Sequence, residues 1–117
     1  MIGHNPQSRE LNMDILHEIV RRIVAVAKPE KIVLFGSRAR ENYRPDSDID
    51  LLVIQESQQP RYKRAIPLHA TLGDLSIEVD TEVMVYTPQE VAEWKTASAA
   101  FVTTALREGK VLYEKQP

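Results

Sequence analysis

The sequence predicts an α/β fold of the α+β type, and three observations carry that expectation. Two short runs, KIVLF at residues 31–35 and DIDLLVI at 48–54, are apolar, rich in β-branched residues and bounded by turn residues, as buried strands are. Ahead of them, Ile15, Ile19 and Ile23 recur at four-residue spacing with Leu16, Val20, Val24 and Ala27 alongside, the pattern of a helix that buries one broad face. Beyond them, in SIEVDTEVMVY at 76–86, Ile77, Val79, Val83 and Val85 share one parity and Glu78, Asp80, Glu82 and Met84 the other, which describes a strand with one apolar and one acidic face.

Residues 1–10 are polar and aperiodic and are expected to form a flexible N-terminal tail, with 11–117 a single domain. Asn12 is the expected cap of the first helix, and Pro29 ends it. After KIVLF, Gly36 turns the chain, SRARE forms a short helical turn, and NYRPDS is a second turn leading into DIDLLVI. Both strands are expected at the centre of the sheet because their apolar positions run together. A helix is predicted over Tyr62 to Leu72, with Ile66, His69, Ala70 and Leu72 towards the core, Pro67 awkward near its middle and Gly73 at its end. Thr87-Pro88-Gln89-Glu90 has the composition of a helix start: Thr as cap, Pro in the first turn, Glu three residues after the cap. An Ala-rich helix over roughly 96–108 should close at Gly109, with VLYE as an edge strand.

At 117 residues, with 43% apolar and 27% charged side chains, the chain has material for one core and not for a second of comparable size. Seventeen acidic against fifteen basic groups give a formal charge of −2, so no overall positive field gathers nucleic acid, and no direct nucleic-acid binding is expected. The absence of cysteine excludes disulfides, thiolate zinc sites and cysteine nucleophiles, and fits a reducing compartment, here expected to be the cytoplasm. No apolar run approaches the roughly 20 residues of a membrane helix, and MIGHNPQSRE lacks the apolar centre of a signal peptide, so no membrane partner is expected.

The chemistry gathers between the first two strands. Asp48 and Asp50, two apart on a predicted strand, project from one face, and such a pair calls for neutralisation by a hard cation. Mg²⁺ suits it, since that ion takes one or two protein carboxylates and completes its shell with substrate phosphates and water. By itself an Asp-x-Asp is as well read as two surface carboxylates. Gly36-Ser37 follows one buried strand and opens a helical turn, where a missing Cβ lets phosphate approach backbone N–H groups. Alone, that dipeptide is an ordinary strand-to-helix turn with a Ser cap, and it is no Walker loop, because no second glycine and no Gly-Lys-Ser/Thr follow. Arg38 and Arg40 flank the turn and suit either triphosphate oxygens or surface ion pairs, and Ser47 precedes the first aspartate. His4, His17 and His69 have no partners at metal-ligand spacing and are assigned structural or surface roles, while Trp94 and the tyrosines are assigned to packing.

Gly-Ser, ten residues, then Asp-x-Asp on the next strand resembles the signature of the DNA polymerase β-like nucleotidyltransferase superfamily. Within it the chain is most similar to the minimal nucleotidyltransferase, or MNT, proteins, through KIVLFGSRAR, PDSDIDLLVI, RAIPLHATLGDL, VMVYTPQEV and ALREGKVLYE. The resemblance implies the nucleotidyltransferase fold: a mixed β-sheet with helices packed mainly on one side, a phosphate cradle at Gly36 and Ser37 with Arg38 and Ser47 near the nucleotide, and metal carboxylates at Asp48 and Asp50. It also implies a third carboxylate, commonly an Asp five residues before Thr-Pro. That position is Glu82 here, a departure that puts its geometry in question and keeps Asp80 as the reserve. A second departure is Glu41, where such proteins usually carry Gly.

The activity implied is transfer of a nucleotide from ATP with two Mg²⁺ ions at Asp48 and Asp50, while Glu82 shares the metal site and orients or deprotonates the acceptor hydroxyl. Larger relatives append domains that grip their acceptors, and the length here implies an acceptor held from outside, on a separate protein. MNT proteins are typically antitoxins paired with HEPN-domain ribonuclease toxins, which they can silence by moving AMP to a toxin tyrosine. The resemblance thus implies a HEPN toxin as partner, in a hetero-oligomer. Two other readings stand beside it: a non-enzymatic module that blocks its partner sterically, its site vestigial because Glu82 replaces Asp, and a free-standing aminoglycoside transferase, disfavoured by the missing acceptor domain.

Overall fold

A computed structural model describes residues 7–39, 48–77, 79–94 and 101–116. The NYRPDS turn, with Ser47, lies outside the described residues, as do Arg40, Glu41, Glu78 and the beginning of the Ala-rich segment.

The first helix, α1, runs Gln7–Ala27. It therefore takes in residues 7–10, which composition places in the tail, and Asn12 lies inside it instead of capping it. The helix is held by tertiary packing of Ile19 and Ile23, both fully buried, and that packing outweighs a local capping preference at Asn12. Its other end behaves as Pro29 dictates. The residue before a proline is kept out of the helical region, and Lys28 takes a left-handed φ of 50° while its N–H donates to the Val24 carbonyl at 3.1 Å.

Strands β1 (Lys31–Phe35), β2 (Ile49–Ile54), β3 (Thr81–Tyr86) and β4 (Lys110–Glu114) form one mixed sheet in the order β3-β2-β1-β4. β1 pairs antiparallel with β2 and β4, and β2 runs parallel to β3. The two apolar runs are thus the central strands, and VLYE lies in an edge strand. β3 is shorter than the alternation suggests. Residues 73–77 form a 3-10 turn, and the ladder starts where the Ile49 N–H, at the first residue of β2, donates to the Asp80 carbonyl at 2.9 Å.

The predicted helix over 62–72 is split into α2 (Arg61–Arg64) and α3 (Ile66–Thr71). Pro67 sits in the first turn of α3, the one helical position where a missing N–H costs nothing. The break at Ala65 resets the helical phase, so Leu68 and Leu72 enter the core, while Ile66, His69 and Ala70 face outwards. Helices α4 (Pro88–Trp94) and α5 (Phe101–Glu108) follow β3. The α4 start is the expected reciprocal box: the Glu90 N–H donates to Thr87 Oγ1 at 3.1 Å and the Thr87 N–H to Glu90 Oε1 at 2.9 Å.

Alternation along the strands builds two cores. Ile32, Leu34, Leu51, Val53, Val83 and Val85 meet α1 and α3 on one face. Val33, Leu52, Ile54 and Tyr86 meet Val102 and Ala105 of α5 on the other. The larger helical mass lies on the α1 face, and the shorter α4 and α5 cover the opposite one. No helix among the described residues is long and apolar enough to cross a membrane.

Candidate active site

The site begins at the end of β1. Gly36 takes a φ of 74°, in the left-handed region that side chains disfavour, and a Cβ placed on it would run into the Asp50 carboxylate. Conformation demands glycine, and the bare backbone of the 3-10 turn Gly36–Ala39 lies directly against the Asp50 carboxylate, which any Cβ would push aside. The backbones of Ser37 and Arg38 belong to this turn.

Strand register brings the acids together. Phe35 pairs with Asp50 across β1 and β2, and Asp50 pairs with Glu82 across β2 and β3. Asp50 shares its parity with Leu52 and Ile54, and Glu82 with Tyr86, so both lie on the sheet face that α5 packs against. Asp48 is exposed, one residue ahead of β2, and the Ile49–Asp80 hydrogen bond fastens the chain just after it to the segment entering β3. Asp80 is exposed and precedes the β3 strand, which makes Glu82 the strand-borne neighbour of Asp50. Burial, and then the charges of Asp48 and Glu82, push the Asp50 carboxyl above the usual carboxylate range.

A cation would relieve that repulsion, and the oxygen donors fit Mg²⁺ in chemical type: Asp48 and Asp50 supply the one or two carboxylates it ordinarily takes from protein. Among the described residues no three acidic or histidine side chains converge closely enough to hold one ion. Glu82 accordingly stands beside the aspartate pair without closing a three-ligand cluster with it.

On the other side of the glycine turn, a 310 Å³ cleft opens between Gly36 and Ala39 and the α5 residues Thr104 and Glu108. In the sequence, α5 reads only as an Ala-rich packing helix. The signal available there is Gly109, where a Cβ would collide with the Ala105 and Leu34 carbonyl oxygens and Val33, so α5 must end tight against β1 beside the turn. Of the histidines, His17 is exposed on α1. His69 serves the structure, since its Nε2 accepts the Val83 N–H at 3.2 Å on the outer edge of β3. Tyr62, assigned to packing from sequence, is instead exposed.

A mixed sheet that offers a glycine turn after one central strand and an aspartate pair at the head of the next has the layout of a phosphate-transfer domain. The family model described as Polymerase beta, Nucleotidyltransferase matches residues 17–117, and the chain belongs to that family. Among solved structures, a protein of Sulfolobus solfataricus described as a candidate nucleotidyltransferase is 19% identical, with a TM-score of 0.63 over 98% of this chain and 94% of that one. An MntA-HpeT toxin-antitoxin variant, with two aspartates two positions apart replaced by glutamate, is 20% identical, with a TM-score of 0.57 over 86% of this chain and 73% of that one. A toxin-antitoxin structure with AMP-PNP is 22% identical, with a TM-score of 0.56 over 90% of this chain and 75% of that one. These likenesses show the fold. No curated protein matches.

Proposed function

We propose that this chain is a Mg²⁺-dependent nucleotidyltransferase of the MNT type that moves AMP from ATP to a tyrosine of a HEPN-domain toxin, and so acts as its antitoxin. The observation that carries the enzymatic part is the packing of Gly36 against Asp50, with Glu82 in register beside it. The toxin–antitoxin part draws support from two of the similar structures being such assemblies, one of them with an ATP analogue and another altered at an Asp-x-Asp pair.

In this reading Asp48 and Asp50 hold the metal, and the backbone of the Gly36–Ala39 turn receives the phosphates, with Ser37, Arg38 and Ser47 as further contacts. Bound Mg²⁺, expected as two ions, supplies neutralisation of the triphosphate and of the departing pyrophosphate. Glu82 orients the tyrosine hydroxyl and takes its proton. The phenolic oxygen forms a bond to the α-phosphorus as the bridge to the β-phosphate breaks, and pyrophosphate leaves with the bonding pair. Positioning and electrostatics provide the rate, since the chain needs no covalent intermediate of its own.

A steric antitoxin is the second reading, favoured by Glu82 in the third-carboxylate position and by the lack of a three-ligand group among the described residues. Calorimetry of ATP binding with and without Mg²⁺, combined with toxin inhibition by the Asp48→Asn protein, separates the two. Loss of inhibition in that variant supports transfer. Full inhibition by it, with no metal-dependent ATP binding in the wild type, establishes the steric mode.

A further inference from the structure

Of the large apolar side chains exposed among the described residues, Tyr62 (77% exposed), Ile66 (61%) and Met84 (36%) line one 310 Å³ groove between α2–α3 and β3, and Glu82 lines the same groove. The phase break at Ala65 is what turns Ile66 outwards, and parity along β3 places Met84 on the same side as Glu82. Exposed apolar residues scattered singly need no explanation, but three of them sharing a groove with a carboxylate that pairs in register with Asp50 do.

The groove also carries a restriction on how it is used. β3 is an edge strand, and an open edge invites a partner strand. Here the outward Val83 N–H is taken by His69 Nε2 at 3.2 Å, and the outward Val85 carbonyl accepts from Arg64 Nη1 at 3.3 Å. Strand addition would have to displace both. Recognition in the groove therefore falls to side chains. The neighbouring α2 segment RYKR leaves Lys63 exposed, while Arg61 lies over the Tyr86 ring at 4.7 Å and both Arg61 and Arg64 pair with Glu90.

We infer that this groove is the docking site for the acceptor segment of the partner protein: an apolar side chain of that segment seats on Tyr62, Ile66 and Met84, and its hydroxyl-bearing residue reaches Glu82. The occupant is a protein, because the apolar Tyr62, Ile66 and Met84 suit an apolar side chain, and because the groove shares Glu82 with the proposed transfer site, whose acceptor is a protein hydroxyl. The inference rests on the transfer reading above and names where its acceptor sits.

The test uses the purified full chain and, as probe, a purified HEPN-domain toxin of the kind proposed above, with Tyr62→Ala, Ile66→Glu, the conservative Ile66→Leu, and Val111→Glu on the opposite edge strand as control. Tyr62 and Ile66 are exposed, so folding is retained, and circular dichroism checks it. Binding of the probe and AMP addition to it are measured together with Mg-ATP affinity. Tyr62→Ala and Ile66→Glu should weaken binding of the probe by about tenfold or more, as central interface anchors do, with Mg-ATP affinity unchanged. Ile66→Leu and Val111→Glu should behave as wild type. Equal binding by all variants, a loss at Val111→Glu alone, no binding by the wild type, or groove variants that lose a short single-stranded RNA in place of the protein would each overturn the docking site. Loss of binding in the groove variants with no AMP adduct on the probe in any protein keeps the groove and removes the transfer reading.

Discussion

At the scale of single residues, the site turns on two positions that constrain each other. Gly36 has its left-handed φ of 74°, and a Cβ there would push aside the Asp50 carboxylate. Gly36→Ala should therefore lose about 1–2 kcal/mol for the backbone alone, and further stability for displacing Asp50, measured by denaturant unfolding. Asp50 is the converse case, a carboxylate held where ionisation is disfavoured. Its folded pKa is raised, so the neutral form stabilises the fold below the unfolded value, and that advantage is lost as pH rises through the folded value. In metal-free buffer at neutral pH, Asp50→Asn should thus be at least as stable as wild type, with the difference closing in acid. The same substitution, and Asp48→Asn, should lower transfer by more than the roughly 100-fold that loss of a ligand-supporting residue costs, because each removes a proposed ligand itself. Near wild-type turnover in either purified variant would take that residue out of the mechanism.

Among the elements, those whose local signals agree are legible in the sequence. KIVLF and DIDLLVI are the central strands, and Thr87-Pro88-Gln89-Glu90 is a helix start, since its two hydrogen bonds require only the right residues three apart. Where local and tertiary terms compete, the sequence misleads. Asn12 looks like a cap and lies inside α1, and the 62–72 helix breaks because Pro67 suits a first turn and no other. The start of β3 depends on where β2 begins, which alternation within β3 does not encode. The α4 start also predicts an acid-dependent stability. The Arg64 hydrogen bond holds the Glu90 carboxyl down to about 2 against a smaller opposing effect of burial, with the Thr87 N–H assisting. A depressed carboxylate stabilises the fold above its unfolded value of 4.5, and that share is lost as pH falls from there through about 2. Glu90→Gln should flatten this acid limb in thermal melts taken across it, and Thr87→Ala should cost about 1 kcal/mol at neutral pH. An unchanged acid limb in Glu90→Gln would show that Arg64 and Glu90 do not support each other in solution.

For the molecule as a whole, the family is legible because its signature is local: a Gly-Ser turn, ten residues, and an aspartate pair, all read from one contiguous stretch. Neither the groove beside Glu82 nor the cleft at α5 is legible in this way, because both are made by elements distant in sequence: α2 and α3 against β3, and α5 against the turn after β1. The proposed transfer joins the local signature to that assembled surface, and it is covalent chemistry on another protein. Its most direct measurement is intact mass spectrometry of a purified HEPN-domain toxin, the proposed acceptor, after incubation with this chain, Mg²⁺ and ATP, in parallel with Asp48→Asn. The expected result is a mass increase by whole AMP units, mapped to tyrosine, with wild type and none with Asp48→Asn. Inhibition of the toxin by both proteins with its mass unchanged would contradict it.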